Sequence, residues 1–243
     1  MSEVSICLEN VSMMFNLSRD KVLGLKEYLV KAVKGQLFYD EFWALKNVSI
    51  TINRGEVVGV LGLNGSGKST LLKLIAGVFK PTKGMVATSG LVAPLLELGA
   101  GFDYEFSAKE NVYMHGAMLG VPPSEMKKRY KDIMDFAELW EFENVPLKNL
   151  SSGMCARLGF AVATQVTADI LIIDEILGVG DYHFARKCEQ RVQELLAQSV
   201  TVIVVSHSIE TIMSLCNRAV LLRKGELVAD GNVKDVVDVY HLN

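Results

Sequence analysis

GLNGSGKS, residues Gly62 to Ser69, decides how the rest of the chain is read. It fits G-x-x-x-x-G-K-[ST], and its flanks suit that motif. Before it runs EVVGVLG from Glu56, a short apolar stretch that reads as a buried strand. After it runs STLLKLIAG from Ser69, with helical spacing. Glycines 62, 65 and 67 let the backbone curl so that its N–H groups face an anion at the positive end of the following helix. In such a loop Lys68 meets the β- and γ-phosphates of a nucleotide and Ser69 ligates Mg²⁺. Leu63, Asn64, Ser66 and Thr70 complete the nucleotide-binding stretch.

Two more Val- and Ile-rich runs, DILIIDE from Asp169 and TVIVVSH from Thr201, read as further buried strands. Helical patterns lie between or after the strands, among them SEMKKRYKDIMDFAELW from Ser124 and FARKCEQRVQELLAQ from Phe184. Alternation of this kind predicts an α/β fold with a mostly parallel core sheet, whose strands, covered on both faces, explain a chain that is 50% hydrophobic. The run ILIIDE delivers two carboxylates to the C-terminal end of its strand, where ligands of open α/β sheets bind. Asp174 is placed to hold Mg²⁺ through water and Glu175 to act as general base on the attacking water. Two solvated acids at a strand end would be the bland reading of this pair, and the phosphate loop argues against it. His207 leaves the next strand at the same edge, where a γ-phosphate ligand is wanted. His115, His183 and His241 have no such setting and are given no role.

The formal net charge of −3 argues against broad nucleic-acid binding, which needs clustered Lys and Arg. The four cysteines, Cys7, Cys155, Cys188 and Cys216, form no C-x-x-C pair, so reduced thiols are expected rather than zinc or disulfides. The N-terminus MSEVSICLEN lacks the pattern of a signal peptide, and no apolar run reaches the roughly 20 residues that span a bilayer. The expectation is a soluble protein.

Two segments interrupt the alternation. Residues 94–166 read as mostly helical and are taken as a subdomain inserted into a core formed by 1–93 and 167–243. Residues 17–41, LSRDKVLGLKEYLVKAVKGQLFYDE, place Val22, Leu25, Leu29 and Val33 at helical spacing among lysines 26, 31 and 34, which predicts an amphipathic basic helix. No internal repeat or low-complexity tract is present.

LSSGM, Leu150 to Met154, precedes a helical pattern, so its hydroxyls and amides make a second anion site at a helix N-terminus, or simply a cap. It lies about twenty residues before the carboxylate strand. Phosphate loop, LSSGM, carboxylate strand, an aspartate after it at Asp181 and His207 together resemble the nucleotide-binding domain of ABC transporters, over nearly the whole chain. The resemblance implies a P-loop NTPase fold of the ABC ATPase type, with antiparallel β elements beside the parallel sheet. It also implies that Ser151, Ser152 and Gly153 form a signature contacting ATP held by a second copy of the chain, two copies enclosing two nucleotides head to tail.

Departures from the family pattern narrow the resemblance. The general signature is L-S-G-G-Q, whereas Ser152 and Met154 stand at its third and fifth positions here. SSGM followed by Arg157, Leu158 and Phe160-Ala161 looks like the branch that exports polysaccharides (O-antigen, capsule and teichoic acid). ELGAGF at 97–102, E-N-V at 110–112 and the insertion at 17–41 agree with that branch. Implied are an ATPase at the cytoplasmic face of the inner or cytoplasmic membrane, peripherally attached, and a separate polytopic permease. The rival is a soluble ABC ATPase acting on ribosomes or DNA, or a cassette serving another substrate. A silent interaction module is opposed by Glu175 and His207. The family's usual sensing glutamine is missing, since no Gln lies between Gln36 and Gln165; Glu97 is the nearest polar candidate, or else caps a turn. Phe15 is chosen as the aromatic that stacks on adenine, with Tyr39, Trp43 and plain core packing left open.

Overall fold

A computed structural model describes residues 3–18, 39–95, 99, 101–165, 168–174, 181–198, 200–206 and 208–242. Two sheets organise the core. Strands β1 (Val4–Ser18), β2 (Tyr39–Asn53) and β4 (Lys83–Thr88) form an antiparallel sheet in the order β2-β1-β4. The second sheet adds β3 (Val57–Leu61), β5 (Val92–Leu95), β6 (Ile170–Asp174), β7 (Thr201–Val205), β8 (Arg218–Arg223) and β9 (Glu226–Asn232). Its order is β5-β6-β7-β3-β8-β9, and every neighbouring pair is parallel except β8 with β9.

The apolar runs sort by parity, as a sheet covered on both faces demands. Ile170 and Ile172 of β6, with Ile203 and Val205 of β7, join a core shared with the antiparallel sheet and helix α1 (Lys68–Ile75). Leu171, Ile173, Val202 and Val204 point the other way, into a core roofed by α5 (Tyr182–Leu196), α6 (Ile209–Leu215) and α7 (Val233–His241).

A third apolar cluster belongs to the helices α2 (Ala108–Met118), α3 (Pro123–Ala137) and α4 (Ser152–Gln165). Helix α4 is shared: Cys155, Leu158, Ala161 and Val162 face the helical cluster, while Phe160 and Ala163 face the sheet's core. Motif E-N-V has a structural use here. Glu110 closes a capping box with Ser107 at the start of α2. Asn111, fully buried, accepts from the Asp103 amide at 2.8 Å and donates to the carbonyls of Asp103, Phe106 and Ser107. Four backbone groups of an irregular turn are thereby satisfied by one side chain.

The expected insertion 17–41 begins and ends too generously. Leu17 and Ser18 still belong to β1, and Tyr39 to Glu41 already belong to β2, paired Leu17↔Asp40 and Ser18↔Tyr39. Inter-strand hydrogen bonds carry the ladder past Leu17, where the insertion is expected to start, to Ser18, ahead of Val22, the first residue of the helical period. The expected amphipathic helix itself falls on residues 19–38, outside the described residues. Among the described residues, no helix is long and apolar enough to cross a membrane.

Candidate nucleotide site

Three parallel neighbours, β6, β7 and β3, end on one edge of the sheet. Val60 pairs with Val205, and Val205 with Asp174, so those residues stand in one row across three strands. Two inter-strand steps separate Asp174 from Val60, about 10 Å. The loop 62–67 leaves β3 just beyond that row, which puts it and the carboxylate strand on the edge where open α/β sheets bind ligands.

The loop is cramped by backbone. A Cβ on Gly62, at φ +149°, would lie 2.4 Å from both the Leu222 carbonyl and the Ser66 hydroxyl. One on Gly67, at φ +108°, would lie 2.6 Å from the Ala44 carbonyl. Only glycine fits either place. The turn between β8 and β9 buttresses the loop from behind: Gly225 N donates to Ser66 O at 3.0 Å and its own carbonyl accepts from Lys46 N at 2.7 Å. Sequence reading missed this support, because nothing in KGE at 224–226 marks a partner about 160 residues earlier.

Lys68 is buried and its Nζ donates to Gly62 O at 2.6 Å and Leu63 O at 3.1 Å. The ammonium thus sits inside the curl, where a phosphate would offer it a charged acceptor. Helix α1 starts at Gly67 with no side-chain cap hydrogen bond, whereas α2, α5, α6 and α7 are capped by Ser107, Asp181, Ser208 and Asn232. Its first-turn amides are left for an anion. The Ser66 hydroxyl is buried with no hydrogen-bond partner, a further polar group in the cradle. Leu63, Asn64, Gly65 and Ser69 are exposed, and Thr70 is half-buried. A cavity of ≈ 530 Å³ runs beside the loop between residues 62–66, 221–224 and Tyr240 and His241. Its size is that of a small-molecule site. These features fit a nucleoside triphosphate.

Asp174 closes β6, but its side chain, with all of Glu97, Glu175 and His207, lies outside the described residues. Phe15 is half-buried and meets Phe79 edge to face at 5.7 Å, with Lys73 Nζ on the far ring. Trp43 donates to Glu41 at 3.3 Å beneath Lys83 Nζ, 5.2 Å from its ring.

Ser151 caps α4: its Oγ accepts from Met154 N at 3.2 Å. Ser151 and Ser152 are exposed and Gly153 half-buried. Asp181 accepts from Phe184 N at 3.0 Å and pairs with Arg157 of α4. The Phe184 amide, and with it the Arg157 guanidinium, holds the Asp181 carboxyl below the usual carboxylate range. Arg157 was visible in the sequence only as a companion of the signature; its partner 24 residues on was not.

The model of the ABC transporter family matches residues 45–178. The chain is 48% identical over 200 residues to the ABC transporter protein AbcA of Aeromonas salmonicida, covering 82% of itself and 65% of that protein. Against the O-antigen export system ATP-binding protein RfbB of Klebsiella pneumoniae it is 43% identical, covering 82% and 81%. With the teichoic acids export ATP-binding protein TagH of Listeria innocua the figures are 38%, 98% and 70%. The fold superposes on an ATP-binding subunit of an ABC transporter with a TM-score of 0.76 at 20% identity, covering 98% of this chain and 94% of that one. A dimeric bacterial ABC transporter cassette, MJ0796, gives 0.71 at 25%, covering 94% and 98%. Glycine cradle, uncapped helix and carboxylate strand therefore stand in a chain that belongs to the ABC transporter family, as an ATPase cassette.

Proposed function

We propose that this cassette drives export of a lipid-linked polysaccharide through a separate polytopic membrane subunit, attached peripherally at the cytoplasmic face. The observation that carries it is the likeness to RfbB and TagH, cassettes named for O-antigen and teichoic acid export, over 82% and 98% of the chain. In this reading 1–93 and 167–243 form the ATP-binding core and 94–166 the signature subdomain, except that Pro94 and Leu95 finish the core strand β5 on the ladder of β6, so the boundary falls after Leu95. Lys68 and the loop amides hold the triphosphate, and Phe15 stacks on adenine. Ser69 and Asp174 hold Mg²⁺, which when bound offsets phosphate charge; Glu175 takes a proton from the attacking water, His207 meets the γ-phosphate, and Glu97 stands in for the missing glutamine. Ser151, Ser152 and Gly153 complete the site of a second copy, with Asp181 beside them.

The shared site is tested by mixing. Lys68→Ala spoils the phosphate loop and Ser151→Arg the signature, so each homodimer should be nearly inactive. In a mixed dimer one composite site is sound, and random pairing restores about a quarter of wild-type sites in a two-fold dimer with independent sites. No gain with proven mixed dimers would refute service in trans. The cargo is tested separately, by deleting the chain from its cell: glycan should still be made but be lost from the surface. Unchanged surface glycan with a translation or DNA-repair defect would favour the rival cassette acting on ribosomes or DNA.

A further inference from the structure

One phenylalanine from each of three helices meets at a single joint. Phe136 of α3 stacks on Phe160 of α4 at 5.8 Å, and both meet Phe184 of α5 edge to face, at 5.6 and 6.4 Å. Two cations cover the trio. Arg157 of α4 lies 4.8 Å from the Phe184 ring, and Lys187 of α5 lies 4.8 Å from the Phe136 ring. Glu138, which ends α3 in the left-handed conformation at φ +58°, accepts from both, Arg157 at 3.2 Å and Lys187 at 2.9 Å. Lys187 also donates to the Phe136 carbonyl at 2.9 Å, while Arg157 closes the circuit on Asp181. At the far end of α4, Arg129 of α3 donates to Gln165 O at 2.5 Å and Arg191 of α5 to Thr164 O at 3.0 Å.

Phe160 and Arg157 on Phe184, Arg157 on Asp181 and Arg191 on Thr164 O join the helix that begins with SSGM to helix α5 of the sheet's core. Phe136 and Glu138 join α3 to both, and Arg129 joins α3 to α4. Glu138 and Asp181 have side chains 56% and 57% exposed, so the pairs add little to stability. Their geometry does something else. Hydrogen bonds to carbonyls, a carboxylate shared by two cations and two cation–aromatic stacks define one rotational setting of α4 over α5.

We infer that Arg157 and Lys187, joined by Glu138, are positioning residues for ATP turnover: they fix the signature helix relative to the core so that SSGM meets the partner's nucleotide in register. This rests on the reading that SSGM serves a second copy. Lys187→Met keeps the apolar stem and removes the ammonium; Glu138→Gln keeps the shape and removes the charge. In the full chain each should lower kcat about tenfold, less than the hundredfold attached to a 1 Å misplacement, while KM for ATP stays within about twofold. Glu138→Gln and Lys187→Met together should be no worse than either alone, since both open the same bracket. Lys187→Arg, which retains the charge and the donors, should recover most of the rate.

The measurement is steady-state ATP turnover beside thermal melting and ATP binding by the single chain. Unchanged kcat in both variants would overturn the inference, as would losses that multiply in the double variant, or a fall confined to melting temperature. Failure of the underlying reading looks different: the Lys68→Ala and Ser151→Arg mixture would then recover nothing, whatever Lys187 does.

Discussion

The phosphate loop and the SSGM turn each lead into the N-terminus of a helix, yet they are built in opposite ways. The loop is walled in by its own chain: Gly62 and Gly67 admit no side chain, Lys68 is folded into the curl and Gly225 locks Ser66 from behind. At the other helix start, Ser151 and Ser152 are exposed and a Cβ on Gly153 would meet nothing nearer than the Ser151 hydroxyl, at 3.9 Å. One site is finished within the chain. The other has a rigid back, because α4 is packed into two cores at once, and an open front.

The harshest way to probe the difference is Lys68→Ala, which should cut ATP turnover about a hundredfold or more while the protein stays folded, as loss of one preorganised donor at a reacting phosphate does. A turnover assay with a melting curve checks it. The matched glycine pair sharpens the contrast. Gly67→Ala should cost about 3 kcal/mol of stability, because its Cβ meets backbone in a conformation that side chains avoid. Gly153→Ala should leave stability unchanged or raise it by up to about 1 kcal/mol, since the residue lies within α4. If SSGM serves a second copy as proposed, it should nonetheless slow turnover, because the added methyl would stand where that copy's nucleotide approaches. Denaturant unfolding and ATPase rates separate the two outcomes.

The smallest effect concerns thiols. Cys155, one turn into the signature helix, and Cys216, behind Gly59 of the strand that feeds the phosphate loop, are equally buried at 5% exposure. Burial raises both thiols above the ordinary value, Cys216 to about 12. If only the front of the signature is open, both should resist a thiol reagent at pH 8 while half-buried Cys7 reacts first. Burial also raises Cys188 to about 12. In the unfolded chain thiols ionise from about pH 8.5, so the stability that Cys188 and Cys216 lend is full below that pH and is lost as pH climbs towards 12. A pH series of melting temperatures tests the sign.

What the sequence disclosed and withheld follows the range of the interactions. GLNGSGKS as a glycine-walled helix start and Ile170 to Asp174 as a buried strand were legible because glycine conformation, strand burial and helix polarity are local, and parity along β6 and β7 sends alternate residues to opposite cores. Contacts at long separation were not. Gly225 behind Ser66, Arg157 on Asp181 and Arg218 binding both Glu56 at 2.7 Å and Asp230 at 2.8 Å depend on the sheet order, which no single stretch encodes. E-N-V was legible as a mark of the branch, whereas the use of Asn111 as a four-way backbone staple needed the fold of residues 103–107. The start of the insertion was misplaced because Leu17 and Ser18 carry no sign that Asp40 and Tyr39 are their ladder partners.

That ladder has an evolutionary consequence. Ser18 and Tyr39 are opposite one another at the end of a paired ribbon, so the chain leaves and re-enters the sheet through one port. Whatever length is spliced there perturbs the rest mainly through the entropy of closing the loop, about 0.6 kcal/mol for each doubling. Descendants can therefore lengthen, trim or exchange the stretch between Ser18 and Tyr39, while the edge of the parallel sheet where the phosphate loop leaves β3 inherits no strain from the experiment.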